Sequence, residues 1–133
     1  MILIDTNVLA YLLIAGDQTR AAQTLFVRDS DWRSESFVLV EFSNILSTYV
    51  RAGALTLQQG LELQAKAQTL MPALTDVDHA RTLEVAVEFA LSAYDARFIA
   101  LAIQLGTKLV TQNARLRRAV PAWTRSLEEA TVD

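Results

Sequence analysis

Short apolar runs alternate with longer amphipathic stretches along this chain. Ile2-Leu3-Ile4 is apolar at every position, as in a strand covered on both faces, and it stops abruptly at Asp5-Thr6-Asn7. Residues 8–14 read as a short helix broken at Gly16-Asp17. A second helix over 19–27 turns Ala22, Leu25 and Phe26 inward and closes at Arg28-Asp29-Ser30-Asp31, and residues 32–34 form a short strand. Phe37 to Arg51 carries Val38, Phe42, Ile45, Leu46 and Tyr49 at the spacing of one buried stripe, and Ala52-Gly53 ends it.

Thr56 caps the next helix, which runs to about Leu70 and stops at Pro72. Residues 73–75 are a short strand, followed by helices over 77–91 and 95–105, the second closed by Gly106. Residues 108–111 form another strand and 113–120 a short basic helix. Residues 122–126 are an edge strand before an acidic, frayed end. No repeat or Pro/Gly/Ser linker interrupts the pattern, so residues 1–133 read as one domain. Strands alternating with amphipathic helices predict an α/β fold with a parallel sheet, whose ligand site lies beyond the carboxyl ends of the strands.

Composition narrows the class. Hydrophobic residues make up 52% of the chain, with four glycines and two prolines, which excludes disorder and exceeds what a small monomer buries; part of it is expected at a subunit interface. The absence of cysteine removes disulfides, thiolate zinc sites and cysteine nucleophiles, and fits a reducing cytoplasm. The N-terminal apolar run is short, lacks a basic flank and contains Asp5, so no signal peptide is expected, and nothing approaches the ~20 residues of a membrane span. A net charge of −3 argues against indiscriminate nucleic-acid binding, but a nucleic-acid enzyme with acids gathered around a metal stays open.

Three carboxylates stand apart from the rest. Asp5 ends the first strand, either as the cap of the following helix or as a ligand at the strand end. Glu41 shares the helix face of Val38 and Ile45, where it needs a partner: a cation, or an arginine such as Arg97. Asp95 precedes Phe98, Ile99 and Ala102 at inward spacings, though an Asp in a first turn also complements the helix dipole. Acids held together repel, and a hard divalent cation relieves that repulsion. Mg²⁺ or Mn²⁺ suits an all-oxygen set; zinc does not, with no Cys and a lone His79 that reads as a surface residue. Thr111-Gln112-Asn113 is either a turn or a hydroxyl and an amide facing the same crevice. Arg115, Arg117 and Arg118 are either a solvated face or donors to an RNA phosphate backbone.

Four segments occur in a telling order: residues 2–9 (ILIDTNVL), 40–46 (VEFSNIL), 94–102 (YDARFIALA) and 109–116 (LVTQNARL). Together they resemble the PIN-domain ribonucleases, most closely the VapC-type toxins of prokaryotic toxin–antitoxin pairs. The resemblance implies a three-layer α/β/α fold with a short parallel central sheet flanked by helices. It implies a catalytic and metal site in which Asp5, Glu41 and Asp95 converge on Mg²⁺ or Mn²⁺, Thr6 and Asn7 shape the strand end, and Thr111 helps hold a water or an acid. The implied activity is endonucleolytic cleavage of RNA by a metal-activated water. Implied partners are an RNA substrate, a cognate antitoxin and a second copy in a homodimer, with the helices at Phe37–Arg51 and 56–70 as interface candidates, all in the cytoplasm.

One position departs from the family. Where a fourth acid usually follows the threonine, this chain has Asn113, which can ligate through its amide oxygen but brings no charge. One well-held metal is therefore expected, with Glu35 as an acid that could compensate. Two other classes remain open: a PIN-like domain that binds RNA or protein without cleaving, and a phosphatase with an aspartyl nucleophile. The second is disfavoured because Asn7 stands where such enzymes usually carry another Asp.

Overall fold

The computed structural model describes residues 1–132. The first strand, β1 (Ile2–Ile4), has no more than 6% exposure at any residue and lies at the centre of the sheet. Around it run α1 (Thr6–Leu13), α2 (Thr19–Arg28), β2 (Trp32–Glu35), α3 (Phe37–Arg51), α4 (Leu57–Leu70) and β3 (Leu74–Thr75). The remainder is α5 (His79–Phe89), α6 (Ala93–Leu105), β4 (Leu109–Val110), α7 (Ala114–Ala119), a 3₁₀ turn (Pro121–Trp123), β5 (Thr124–Arg125) and α8 (Leu127–Val132). The strands are parallel in the order β3-β2-β1-β4-β5, with Ile2 opposite Trp32, Leu3 opposite Leu109 and Ile4 opposite Val110.

That order matters for the site. The chain winds outward from β1 to β3, then crosses back to β4 on the other side of β1, so the strand order reverses between β1 and β4. Right-handed crossovers place helices on both faces of such a sheet, and a crevice opens at the reversal. α1 packs on α2, α3 and α4, whereas α6 packs on α5, β2 and β4, which gives the three-layer α/β/α arrangement.

Local chemistry sets the helix ends. Thr56 and Gln59 form a capping box at the start of α4, Asp78 caps α5 and Ser92 caps α6. Gly106 closes α6 in the left-handed conformation at φ 66°, and α5 closes the same way on Ala90 at φ 55°, which carries the Cβ penalty glycine avoids. The core sits between sheet and helices around Leu3, Ile4, Leu9, Phe42, Ile99, Leu101 and Leu109.

Three expectations need correction. The edge strand expected over 122–126 is confined to Thr124–Arg125, because Pro121 opens a 3₁₀ turn that takes in 122 and 123. The C-terminal end is not frayed through residue 132. Ser126 and Glu129 cap each other reciprocally (2.9 and 3.0 Å), Leu127 and Ala130 are buried, and α8 packs on α2. Tyr49 lies at the edge of the α3 stripe, 40% exposed, outside the buried line of Val38, Phe42 and Leu46.

Candidate active site

Asp5 and Thr111 sit one residue beyond the carboxyl ends of β1 and β4, at the strand-order reversal. The Asp5 N–H donates to the Val110 carbonyl (3.4 Å), and the Thr111 N–H to that of Arg125 (3.0 Å), so the sheet itself fixes both backbones. The capping use considered for Asp5 is realised, since its Oδ1 accepts from the Val8 N–H at 3.2 Å at the start of α1, and the residue also lines an open cavity of about 550 Å³. Thr6, Asn7, Glu41, Asp95 and Asn113 line that cavity too.

The electrostatics of these acids follow from shared burial. Loss of water around Asp5 pushes its carboxyl up to about 6, assisted by the charges of Asp95 and Glu41 and opposed by hydrogen bonds from Thr111 and Val8. Glu41, a turn inside α3, is raised by its own half-burial and by Asp95 and Glu35, against a 2.6 Å hydrogen bond donated by the Thr6 hydroxyl. Asp95, in the first turn of α6, is raised by burial and lowered by the Arg115 guanidinium. Its N–H donates to the Ser92 hydroxyl at 3.1 Å. Three carboxyls, each raised by burial, line one cavity, and their oxygens are the donor type that a hard divalent cation takes.

No three acidic or histidine groups among the described residues are gathered tightly enough to hold an ion alone. A hard cation such as Mg²⁺ does not need that, since it retains waters and uses one or two carboxylates. Neutral oxygens near Asp5 are correspondingly important. The Thr111 hydroxyl is one, and it also accepts from the Asn113 N–H at 3.1 Å.

The remaining expectations divide. Asn113 lines the cavity and caps α7 with its side-chain oxygen, which accepts from the Leu116 N–H at 3.1 Å and keeps a second lone pair. Glu35 is fully buried and faces an arginine: its Oε2 lies 2.6 Å from Arg97 Nε, so it does not replace the missing fourth acid. Arg97 therefore pairs with Glu35 and not with Glu41. The three α7 arginines also part ways. Arg115 is exposed near Asp95 and Arg118 is exposed, whereas Arg117 donates to the Thr111 carbonyl at 2.9 Å and braces the strand end. Gln112 points to the far side, where its Oε1 accepts from Leu127 N–H at 2.8 Å and ties down α8. His79 is exposed at the start of α5.

Sequence reasoning did not single out Asn44, Phe37 or Tyr94, which line the same cavity. Asn44 stands three residues after Glu41 on α3, and that i,i+3 spacing was the available signal. Tyr94 immediately precedes Asp95.

A doubly wound sheet with acids at its reversal point defines the class: over residues 2–120 the sequence matches the PIN domain, and the chain belongs to that family. It is similar to Ribonuclease VapC3 of Pyrobaculum aerophilum, 24% identical over 125 residues that span 91% of this chain and 95% of that one. Its fold is similar to the crystal structure of PAE2754 from Pyrobaculum aerophilum, with a TM-score of 0.80 and 22% identity across 98% of this chain and 91% of that one. No helix among the described residues is long and apolar enough to cross a membrane.

Proposed function

We propose that this protein is a divalent-metal-dependent endoribonuclease, the toxin of a type II toxin–antitoxin pair. The observation that carries the proposal is the convergence of Asp5, Glu41 and Asp95, each raised above its ordinary range, on one cavity at the crevice of a PIN fold. Mg²⁺ or Mn²⁺ would be held by Asp5 and its acidic neighbours, with Thr111 supporting. A cation held there would supply acidification of a water and charge to offset that on phosphoryl oxygens. The chain's own residues do the rest. The Thr6 hydroxyl orients Glu41, Arg117 and the Asn113 N–H set the strand end around Thr111, Arg115 lies near Asp95 as a candidate phosphate contact, and Arg118 is exposed one turn on. The name of the VapC relative supports an RNA substrate and an antitoxin partner. A groove of about 300 Å³ between α3 and α4, lined by Leu46, Val50, Leu57 and Leu61, suits an apolar partner segment or a second copy.

The test is cleavage of purified structured RNA with Mg²⁺, with EDTA, and by Asp5→Asn. Wild-type cleavage lost in both controls is expected; cleavage that survives Asp5→Asn overturns the assignment of the site. A second reading, a PIN domain that binds without cleaving, is favoured by the uncharged Asn113 in the cavity lining and by the pairing of Glu35 with Arg97. Calorimetric Mn²⁺ titration separates the two, because a non-catalytic domain shows no binding that depends on Asp5.

A further inference from the structure

Tyr94 is 59% exposed, yet it is held in place. Its ring lies 5.4 Å from that of Phe37 at an interplanar angle of 23°, a stacked pair, and both residues line the acidic cavity. Phe37 is fixed in turn. The Arg97 guanidinium lies over its ring at 5.5 Å, and the buried Glu35 grips both parts: Oε2 meets Arg97 at 2.6 Å, and Oε1 accepts from the Phe37 N–H at 2.7 Å. An ion pair whose carboxylate is fully buried adds little net stability, but it does fix geometry. Here the geometry it fixes is an aromatic pair at the mouth of the site. A single exposed aromatic needs no explanation; one braced by a buried carboxylate, an arginine and a second ring does.

We infer that Tyr94 is the platform on which an unpaired nucleobase next to the scissile phosphodiester stacks, and that Glu35, Arg97 and Phe37 are its positioning residues. This rests on the nuclease reading above. Tyr94 adjoins Asp95, so a phosphodiester at the acids brings its own flanking base to this ring. Every base has a π-face, and stacking on aromatic side chains is the common way single-stranded RNA is held. The need is sharper here because the chain carries a net charge of −3 and Arg115 is the cation that acts on Asp95. Electrostatic attraction to the backbone is weak, and stacking supplies affinity that charge does not. The substrate class is therefore RNA with an unpaired base at the cleaved bond, and a purine stacks there better than uracil.

The experiment uses fluorescein-labelled single-stranded RNA hexamers, intact or with one abasic ribose at successive positions. Binding is read by anisotropy with Ca²⁺, and cleavage with Mg²⁺, for wild type, Tyr94→Phe and Tyr94→Ala. Tyr94→Ala is expected to weaken binding and raise KM roughly 5- to 150-fold, with Tyr94→Phe within about twofold of wild type. One abasic position should weaken wild-type binding as much and leave Tyr94→Ala with nothing further to lose. Equal affinity of Tyr94→Ala and wild type, or an equal loss on every abasic hexamer, overturns the inference. So does a Tyr94→Ala defect confined to capture of a protein partner. Tyr94-dependent binding without cleavage upholds the platform and sinks the nuclease reading. Cleavage indifferent to Tyr94 does the reverse, and neither binding nor cleavage sinks both. Melting temperatures of the three proteins show whether the fold is intact.

Discussion

Asp5 caps a helix and carries a buried charge, and Asp5→Asn separates the two roles. Asparagine is as good an N-cap, so the acceptor for the Val8 N–H is retained while the charge is removed. Burial, then the neighbouring acids, hold this carboxyl at about 6 against 3.8 in an unstructured chain. The folded state thus binds the proton more tightly. The stability this group contributes is full below pH 3.8, declines between 3.8 and about 6, and is absent above. At 1.36 kcal/mol per unit, the charged form costs the cation-free protein roughly 3 kcal/mol at pH 8 and about 0.5 kcal/mol at pH 4. Asp5→Asn should therefore raise the melting temperature by on the order of 10 °C at pH 8 and hardly at all at pH 4. Unfolding of both proteins in EDTA across this range gives the result directly, since other titrating groups largely cancel in the difference. Mg²⁺ at a hundred times its dissociation constant should restore about 2.7 kcal/mol to the wild type at pH 8 and nothing to Asp5→Asn. A stability difference that is flat with pH, or an Asp5→Asn protein weaker than wild type at pH 8, would refute the reasoning.

Three further outcomes follow from individual contacts. Arg97→Ala strands the buried Glu35 charge and should cost about 3–5 kcal/mol in urea unfolding, whereas the double change Glu35→Leu with Arg97→Met should cost less; a single-variant loss below about 1 kcal/mol would show that the pair is not buried in solution. Thr6→Ala removes the hydrogen bond that lowers Glu41, so the proton competes better for that carboxylate, and RNA cleavage should fall further at pH 6 than at pH 8; equal losses would disconnect Thr6 from Glu41 ionisation. Ala90→Gly relieves a left-handed residue at the end of α5 and should stabilise the protein by about 0.5–1 kcal/mol, read as a higher urea midpoint at unchanged slope.

What the sequence disclosed, and what it hid, divides along a physical line. Period and punctuation are local. The α3 boundaries at Phe37 and Arg51, the Thr56 cap and the Gly106 stop are all visible in the residues themselves. The inward face of Glu41 was legible for the same reason. The α8 helix is legible too, because Ser126-Leu127-Glu128-Glu129 carries the reciprocal S-x-x-E cap. Partner choice is not local. Arg97 lies on α6 and Glu35 at the end of β2, and only the packing of α6 against that strand decides that Glu35, and not Glu41, receives the guanidinium.

That choice governs the chemistry of the site. With Glu35 paired to Arg97 and Asn113 uncharged, three carboxylates among the described residues line the cavity. Fewer charges mean less mutual repulsion in the cation-free protein but also a weaker hold on a cation, and Asp5 adds competition from protons near pH 6. Cation affinity should thus rise steeply between pH 5 and 7, as Asp5 gives up its proton. Glu35 still shapes the site, though not from within the cavity: it pairs with Arg97 and through it fixes Phe37, the ring stacked against the proposed nucleobase platform Tyr94.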